Sequence, residues 1–531
     1  MASLPTTVSH RPSPQQQAIA DSFREGNDLV LYGRAGTAKT TTLVLIADVM
    51  VEQGRRGHYI TLNNDVARDV GSRFTQGNVT CSTFHALARE VVSRTSLAYL
   101  LGKVDAPVEV SRFSRPRHLG ITETMTYTSR RSAELQSQGL FGNMTTLTPV
   151  DFCDAAIEAV RAWCISAEDT LDERHVPDRP QMSPDFYTNE FAPRVIRHAN
   201  TVWDDLLSPG GVVPFTHDHY VKLAQLAHPD LSLLFGPGSV LFFDEAQDSR
   251  PAVTDILHRQ SGMQTVVVGD PCQAIYRFTG ARDSLPAFMS RPGAVTLPLT
   301  VSWRFGQQIA DAANIVLSLL GEEGFALEGN PALTSQVVTY RDNEVPESDA
   351  VLTRTNARLV EESLAEKARG RSVHILADTS RIMRIAEDLT RIDLGEQPRS
   401  REFTGITCPE DVEALLHGTG GNSSLRATIR LLREHGIIAV TEAIAQSTGE
   451  ETSDTVCTTI HKSKGRQWPV VRIAADPDEL IPSNFDSDEG RDALMLLYVA
   501  ITRAQGTLYI PEALAAAITS ALPAGGVSPG R

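Results

Sequence analysis

The sequence predicts an α/β protein with two parallel-sheet domains, each interrupted by a mostly helical inserted subdomain. Three observations predict it. The run Leu29-Val-Leu-Tyr32 enters a glycine-containing loop and then a long apolar pattern to Met50, the strand–loop–helix order that a phosphate-cradling loop requires. The run Val240-Leu-Phe-Phe243 is apolar throughout and ends in Asp244-Glu245; a strand with no polar face is buried on both sides, as in a parallel sheet. The α/β pattern then starts again at about residue 295 and resumes once more at Thr455.

Composition sets the bounds. A chain of 531 residues holds three or four domains at ordinary domain size. Hydrophobic content of 41% and charged content of 21% are those of a globular protein. No apolar run reaches membrane-spanning length, and Met1–Pro12 lacks the apolar core of a signal peptide. Six scattered cysteines without a Cys-x-x-Cys pair argue against zinc or iron–sulfur sites and for a reducing, cytoplasmic compartment. The net charge of −16 excludes a protein that simply coats nucleic acid, though not one that grips a strand locally. The arginines at 112, 115, 117, 130 and 131 read as a solvated basic face.

The elements follow in order. Ser13 reads as an N-cap and Pro14 as the first turn of a helix. The loop Gly33-Arg34-Ala35-Gly36-Thr37-Ala38-Lys39-Thr40-Thr41 comes next. Its successive N–H groups suit phosphate at a helix N-terminus. Lys39 then reaches the β- and γ-phosphates, and the Thr40 hydroxyl ligates Mg²⁺. Ala38 stands where glycine usually precedes the lysine; its Cβ is costly only if φ is positive there. Some AAA+ ATPases resemble this chain in carrying Gly-Thr-Ala-Lys, so the alanine is read as tolerated. His58–Asn64 reads as a second strand ending in polar residues, and Thr80–Thr83 as a third running into a helix. Residues 101–195 change in texture and read as the first insertion; residues 376–452, with a Gly/Asn/Ser stretch at 418–424, read as the second. The domains are therefore 1–100 with 196–297, and 298–375 with 453–531. The Ala/Pro/Gly-rich tail reads as frayed.

The acid pair supplies the chemistry. Ligands of open α/β sheets bind at the C-terminal strand ends, where Asp244 would hold Mg²⁺ and Glu245 would polarise the attacking water. Phosphoryl transfer asks mainly for positioning and charge neutralisation.

With these residues in order, and with Gly269-Asp-Pro-Cys-Gln273-Ala-Ile-Tyr276-Arg-Phe278 and Trp303-Arg304-Phe305-Gly306, the chain resembles superfamily 1 DNA helicases of the UvrD/Rep type. It is most similar to the F-box DNA helicase branch, with no F-box or nuclease extension apparent. The resemblance implies two RecA-like P-loop NTPase domains with ATP in the cleft between them. It implies 3′-to-5′ translocation on single-stranded DNA, unwinding of tailed duplex, and DNA-bound recombination or repair proteins as further partners, with no membrane role. By resemblance Gln16 reads adenine, Trp303 stacks on it, and Arg304 and Arg503 meet the γ-phosphate that Gln273 senses. Gly465 and Gln467 take the nucleotide side of a later motif, where Gln467 replaces a usual glutamate. Thr61, Leu62, Asn64, Thr83, His85, Tyr276, Phe278, Thr459 and His461 match strand-contacting positions. Leu62 and Asp65 replace a usual Phe and Lys, which weakens one stacking platform and one phosphate contact. Two alternatives stay open: a translocase that strips proteins without unwinding, and a nucleotide-switched binding module.

Overall fold

The computed structural model describes residues 12–522, apart from positions 63, 75, 105, 107, 138–143, 342, 404, 418–422 and 482–483. Asn63, most of the Gly/Asn/Ser stretch, the first eleven residues and the tail from 523 thus lie outside the described residues. The described residues form two compact units. One comprises those of Met1–Tyr32, Lys39–Pro271 and Tyr276–Leu297; the other comprises those of Gly33–Ala38, Cys272–Ile275 and Pro298–Arg531.

The helix Pro14–Arg24 opens the first unit. The Ser13 hydroxyl accepts from Gln16 N–H and the Gln16 side chain accepts from Ser13 N–H, so two orphan donors are satisfied reciprocally. Strands β1 (Leu29–Gly33), β2 (Gly57–Thr61) and β3 (Val79–Thr83) follow, then an antiparallel hairpin of β4 (Met125–Thr128) and β5 (Met144–Leu147). β6 (Val240–Phe243), β7 (Gln264–Gly269) and β8 (Val295–Leu299) complete a six-stranded sheet of order β3-β2-β6-β7-β1-β8. Its registered pairs are parallel, with Tyr59 opposite Phe242 and Val30 opposite Val267. β1, β2, β6 and β7 are buried along their whole length, which accounts for the unbroken apolar run of β6. The second compact unit resumes at Pro298, within β8. β8 neighbours β1 in the first sheet, because Val295 N–H donates to Asp28 O and Arg34 N–H donates to Leu299 O.

The helices Pro149–Ile165 and Ala192–Leu207 pack on each other. Phe152, Trp163, Val195 and Val202 share one core with Ile60, Phe84 and Phe243 of the sheet region. Residues of 101–195 therefore bury apolar surface against the same core as the first sheet.

The second unit holds β9 (Gln336–Tyr340), β10 (Ala350–Thr353), β11 (Val373–Leu376), β12 (Thr455–Thr459), β13 (Trp468–Ile473) and β14 (Ala504–Pro511). The order is β11-β12-β10-β13-β14-β9 and all pairs are parallel. Residues 376–452 form the helices Ser380–Asp393, Pro409–His417, Ser423–His435 and Ile437–Ala445. Ile382, Ile385, Leu425, Ile429 and Val440 pack with Val351, Val373 and Cys457 of the strands. Beneath them Arg472, almost fully buried, donates to Glu362 at 2.9 Å and Glu366 at 2.7 Å. A buried guanidinium is tolerable only with such partners.

Candidate functional site

β1 delivers the chain into the loop Gly33–Ala38, and the helix Lys39–Glu52 begins at the lysine. Its first turn holds Lys39, Thr40 and Thr41, and the partial positive charge of a helix N-terminus favours an anion there. Gly36 has φ 73° and Ala38 has φ 59°. The condition under which the alanine is costly is therefore met, and it occupies a left-handed conformation that glycine adopts freely. Gln16 is buried at 7% exposure, which selects it over Gln15 and Gln17 as the inward residue. Its amide accepts from Ser13 N–H and donates to Thr42 Oγ1 at 3.1 Å. These bonds fix the amide's orientation while using one of its two hydrogens and one of its oxygen's two lone pairs.

Asp244 follows β6 directly and is 2% exposed. Tyr59 Oη donates to its Oδ2 at 2.7 Å, and Glu245 N–H donates to Oδ1 at 2.8 Å. Burial, with Glu245 adjacent, pushes the Asp244 carboxyl up to about 6, while Lys39 pulls it down. This is a buried acid in want of positive charge. Oxygen donors from a hydroxyl and a carboxylate suit a hard cation such as Mg²⁺, so Thr40 and Asp244 fit a magnesium nucleotide. Glu245 also has positive φ, 55°. Such strain in a non-glycine residue costs roughly 1–3 kcal/mol and clusters at working sites.

Sequence reasoning assigned no role to Gln247. Its Nε2 donates to Glu245 Oε2, and its Oε1 accepts from Asp270 N–H at 3.1 Å. A Cβ on Gly269 would stand 2.5 Å from that same Oε1. Gln247 thus fixes the glutamate's carboxylate against the end of β7. The legible signal was its place within Asp244-Glu-Ala-Gln-Asp248.

The second unit gathers another set. Arg304 Nε donates to Gln467 Oε1 at 2.7 Å and its Nη1 to Thr502 O at 2.6 Å. Gln467 is thus engaged as an acceptor for Arg304. Arg503 is 1% exposed; it donates to Val499 O, Arg466 O and, at 3.3 Å, Gln273 Oε1. Lys464 Nζ donates to Gln273 O at 2.6 Å. Trp303 is 42% exposed, and its N–H donates to Gly36 O at 2.8 Å. Gly465 is exposed with φ 82°, a conformation that asks for glycine. Arg304 is partly exposed while Arg503 is sealed, so the two arginines are not equivalent in access.

The residues matched to strand contact divide by role. Phe278 is 75% exposed and Tyr276 half-buried, with ring centroids 6.3 Å apart. Phe278 is therefore not a core residue. Thr83 accepts from Ala86 N–H and Thr459 from Lys462 N–H, so both hydroxyls cap helices. Thr61 is buried at the end of β2, Leu62 is half-buried, and Asn64 is exposed at the start of the helix Asn64–Arg73. His85 sits 5.6 Å from the His217 ring; burial and that neighbour hold it below its ordinary range. Burial pushes His461 down to about 4, with Arg354 acting the same way. Burial thus favours the neutral form of both imidazoles, and a strand contact through that form would be one of hydrogen bonding or stacking.

Residues 381–514 match the UvrD-like helicase C-terminal domain, and residues 15–279 match an AAA domain. The chain is 26% identical to F-box DNA helicase 1 of Gallus gallus over 94% of its length and 49% of that protein's. It is 23% identical to F-box DNA helicase protein 1 of Schizosaccharomyces pombe over 94% and 57% of the two chains. DNA helicase IV of Escherichia coli is 27% identical over 58% of this chain and 47% of its own. The chain thus spans about half the length of the curated relatives it matches.

Proposed function

The chain belongs to the UvrD-like superfamily 1 helicases, and from that premise we propose that it is an ATP-driven DNA helicase. It moves 3′ to 5′ on single-stranded DNA and unwinds tailed duplex. The observation that carries this reading is the hydrogen bond from Arg503 to Gln273, with Phe278 exposed five residues further along the same segment. A group suited to sensing γ-phosphate and an aromatic suited to stacking on a base thus share one short stretch of chain.

In this reading Lys39 and the loop amides hold the phosphates, and Trp303 offers an exposed ring to the base. Magnesium held by Thr40 and Asp244 would neutralise charge on the phosphates. Glu245, set by Gln247, accepts a hydrogen bond from the attacking water and fixes its line of approach. By the resemblance, Arg304 and Arg503 would meet the charge that develops on the transferred group; such arginines are worth roughly 10³–10⁵ in rate. Strand occupancy at Phe278 and Tyr276 sets the segment that carries Gln273, and so stimulates hydrolysis.

ATPase and strand-displacement assays on 3′- and 5′-tailed duplexes, with DNA and RNA tails, test the reading. The expected result is DNA-stimulated hydrolysis and displacement only from the 3′ tail. Lys39→Ala is expected to abolish hydrolysis, and Glu245→Gln to keep nucleotide affinity while losing turnover. Turnover within a few-fold of wild type in either variant would overturn the assignment. Stimulated hydrolysis and translocation without displacement would select the protein-stripping alternative.

A further inference from the structure

Arg34 belongs by sequence to the phosphate loop, but the structure gives its side chain other work. The guanidinium is wholly buried at 0% exposure. Nε donates to Phe325 O at 2.8 Å and Nη2 to Glu322 O at 2.8 Å, with Glu322 Oε2 at 3.5 Å. Nη1 donates to Cys272 Sγ at 3.2 Å. Cys272 is itself buried and immediately precedes Gln273. All of these residues lie in the same compact unit, as do the neighbours of the loop's next two residues. Ala35 N–H donates to Tyr498 Oη at 3.1 Å, and Gly36 O accepts from Trp303 N–H. A Cβ on Gly36 would stand 2.6 Å from Ser302 Oγ and 2.9 Å from Arg304 Cβ. The first half of the loop is therefore clamped from several sides, and Arg34 is the piece that also reaches the sensor segment.

The chemistry favours a positioning role. A buried guanidinium is costly unless its fork is met by acceptors. Here those acceptors are two carbonyls, a partly exposed carboxylate and a thiol, drawn from two separate stretches of chain. A lysine, with one nitrogen, cannot span them.

Resting on the helicase reading above, we propose that Arg34 is a positioning residue. Its fork holds the first half of the phosphate loop and the Cys272–Gln273 segment in one frame, so that Gln273 and Arg503 are set correctly when nucleotide binds. Lys39 and Thr40 carry nucleotide affinity, whereas Arg34 governs turnover.

The test is steady-state ATP hydrolysis with and without single-stranded DNA, normalised to active sites titrated with a fluorescent ADP analogue. In Arg34→Lys, kcat is expected to fall about tenfold or more while KM for ATP stays within about threefold. Cys272→Ala, which removes only the thiol acceptor, is expected to lower kcat in the same direction. In the double variant the losses are expected to be less than additive in free energy, because both changes cut one link. A merely structural role would lower the melting temperature and the active fraction but leave kcat per active site unchanged. Folded Arg34→Lys with kcat within about twofold of wild type would overturn the proposal, as would fully additive losses. If Arg34→Lys does not fold, Cys272→Ala decides alone, and unchanged kcat there overturns it. Wild-type protein without DNA-stimulated hydrolysis would instead overturn the functional reading, and this inference with it.

Discussion

Two non-glycine residues at the centre of the candidate site, Ala38 and Glu245, hold positive φ. Each stands beside a group that does chemistry: Ala38 precedes Lys39, and Glu245 follows Asp244. An alanine in the left-handed region costs about 1 kcal/mol that glycine does not. Ala38→Gly is therefore expected to be stability-neutral or better, since relief of strain offsets the extra freedom of the unfolded chain. Thermal melting and ATPase together check it: an unchanged or higher melting temperature with turnover at or mildly above wild type is expected. A loss of turnover beyond tenfold, about 1.4 kcal/mol, would show that the loop's geometry depends on the alanine Cβ. Glu245 has no such substitution open to it, because its carboxylate, tied by Gln247, is the part that works.

At the scale of elements, the short segment between β7 and β8 matters most. It leaves the sheet at Gly269, passes Gln273, and turns through Arg277–Thr279 before Gly280 at φ 88°. Gly280 has no room for a Cβ, which would stand 2.8 Å from Ile165 Cγ2 of the helix Pro149–Ile165. That close approach anchors the turn and leaves Phe278 exposed. Tyr276→Ala with Phe278→Ala is expected to leave nucleotide affinity within a few-fold and to remove most DNA-stimulated hydrolysis. Truncating a core aromatic costs roughly 3–5 kcal/mol, and Phe278 at 75% exposure is not one; the double variant should therefore melt close to wild type. A well-folded double variant that is still fully stimulated by DNA would place the grip elsewhere.

At the scale of the whole molecule, stability should depend on pH through buried histidines. Burial pushes His58, His219 and His461 each down to about 4, against about 6.5 in the unfolded chain. Between those values the unfolded state binds more protons at these three sites, so their contribution to stability falls as pH drops from about 6.5 toward 4 and is flat above. Asp244 acts oppositely. Its raised pKa means that folding is relieved of a penalty as pH falls through about 6; burial also raises the carboxyls of Asp48 and Glu479, which act in the same sense, and lowers His85 and His175, which act with the other histidines. His219 gives the specific test. Its Nδ1 accepts from Thr216 N–H at 2.8 Å in the cap of the helix His217–Leu226, so protonation on that nitrogen breaks the bond. Asp218 and Lys103 face His219 with opposite charge effects. His219→Gln retains a side-chain acceptor for the capping box but cannot titrate. Melting temperatures from pH 7.5 to 5 should fall for wild type and fall less steeply for His219→Gln; parallel curves would exclude His219 as a contributor.

Much of this protein was legible from its sequence alone. The loop at 33–41, the buried strand before Asp244, the Ser13 cap and the later motifs are contiguous patterns. Local backbone preference and hydrophobic periodicity act over such lengths. They determined the strands β1, β2, β3 and β6, the helix after the loop, and the family. Tertiary structure alone decided how those residues are used. It placed β8 in the first sheet, turned Ala38 and Glu245 to positive φ, and spent the Thr83 and Thr459 hydroxyls on caps. It bound both ends of the Gln16 amide, gave Glu245 to Gln247, and buried the Arg34 fork among Glu322, Phe325 and Cys272. The physical reason is common to all of them. A motif states which donors and acceptors are present, but the partner each one finds is a contact between residues far apart in the chain, and only the packed fold brings those residues together.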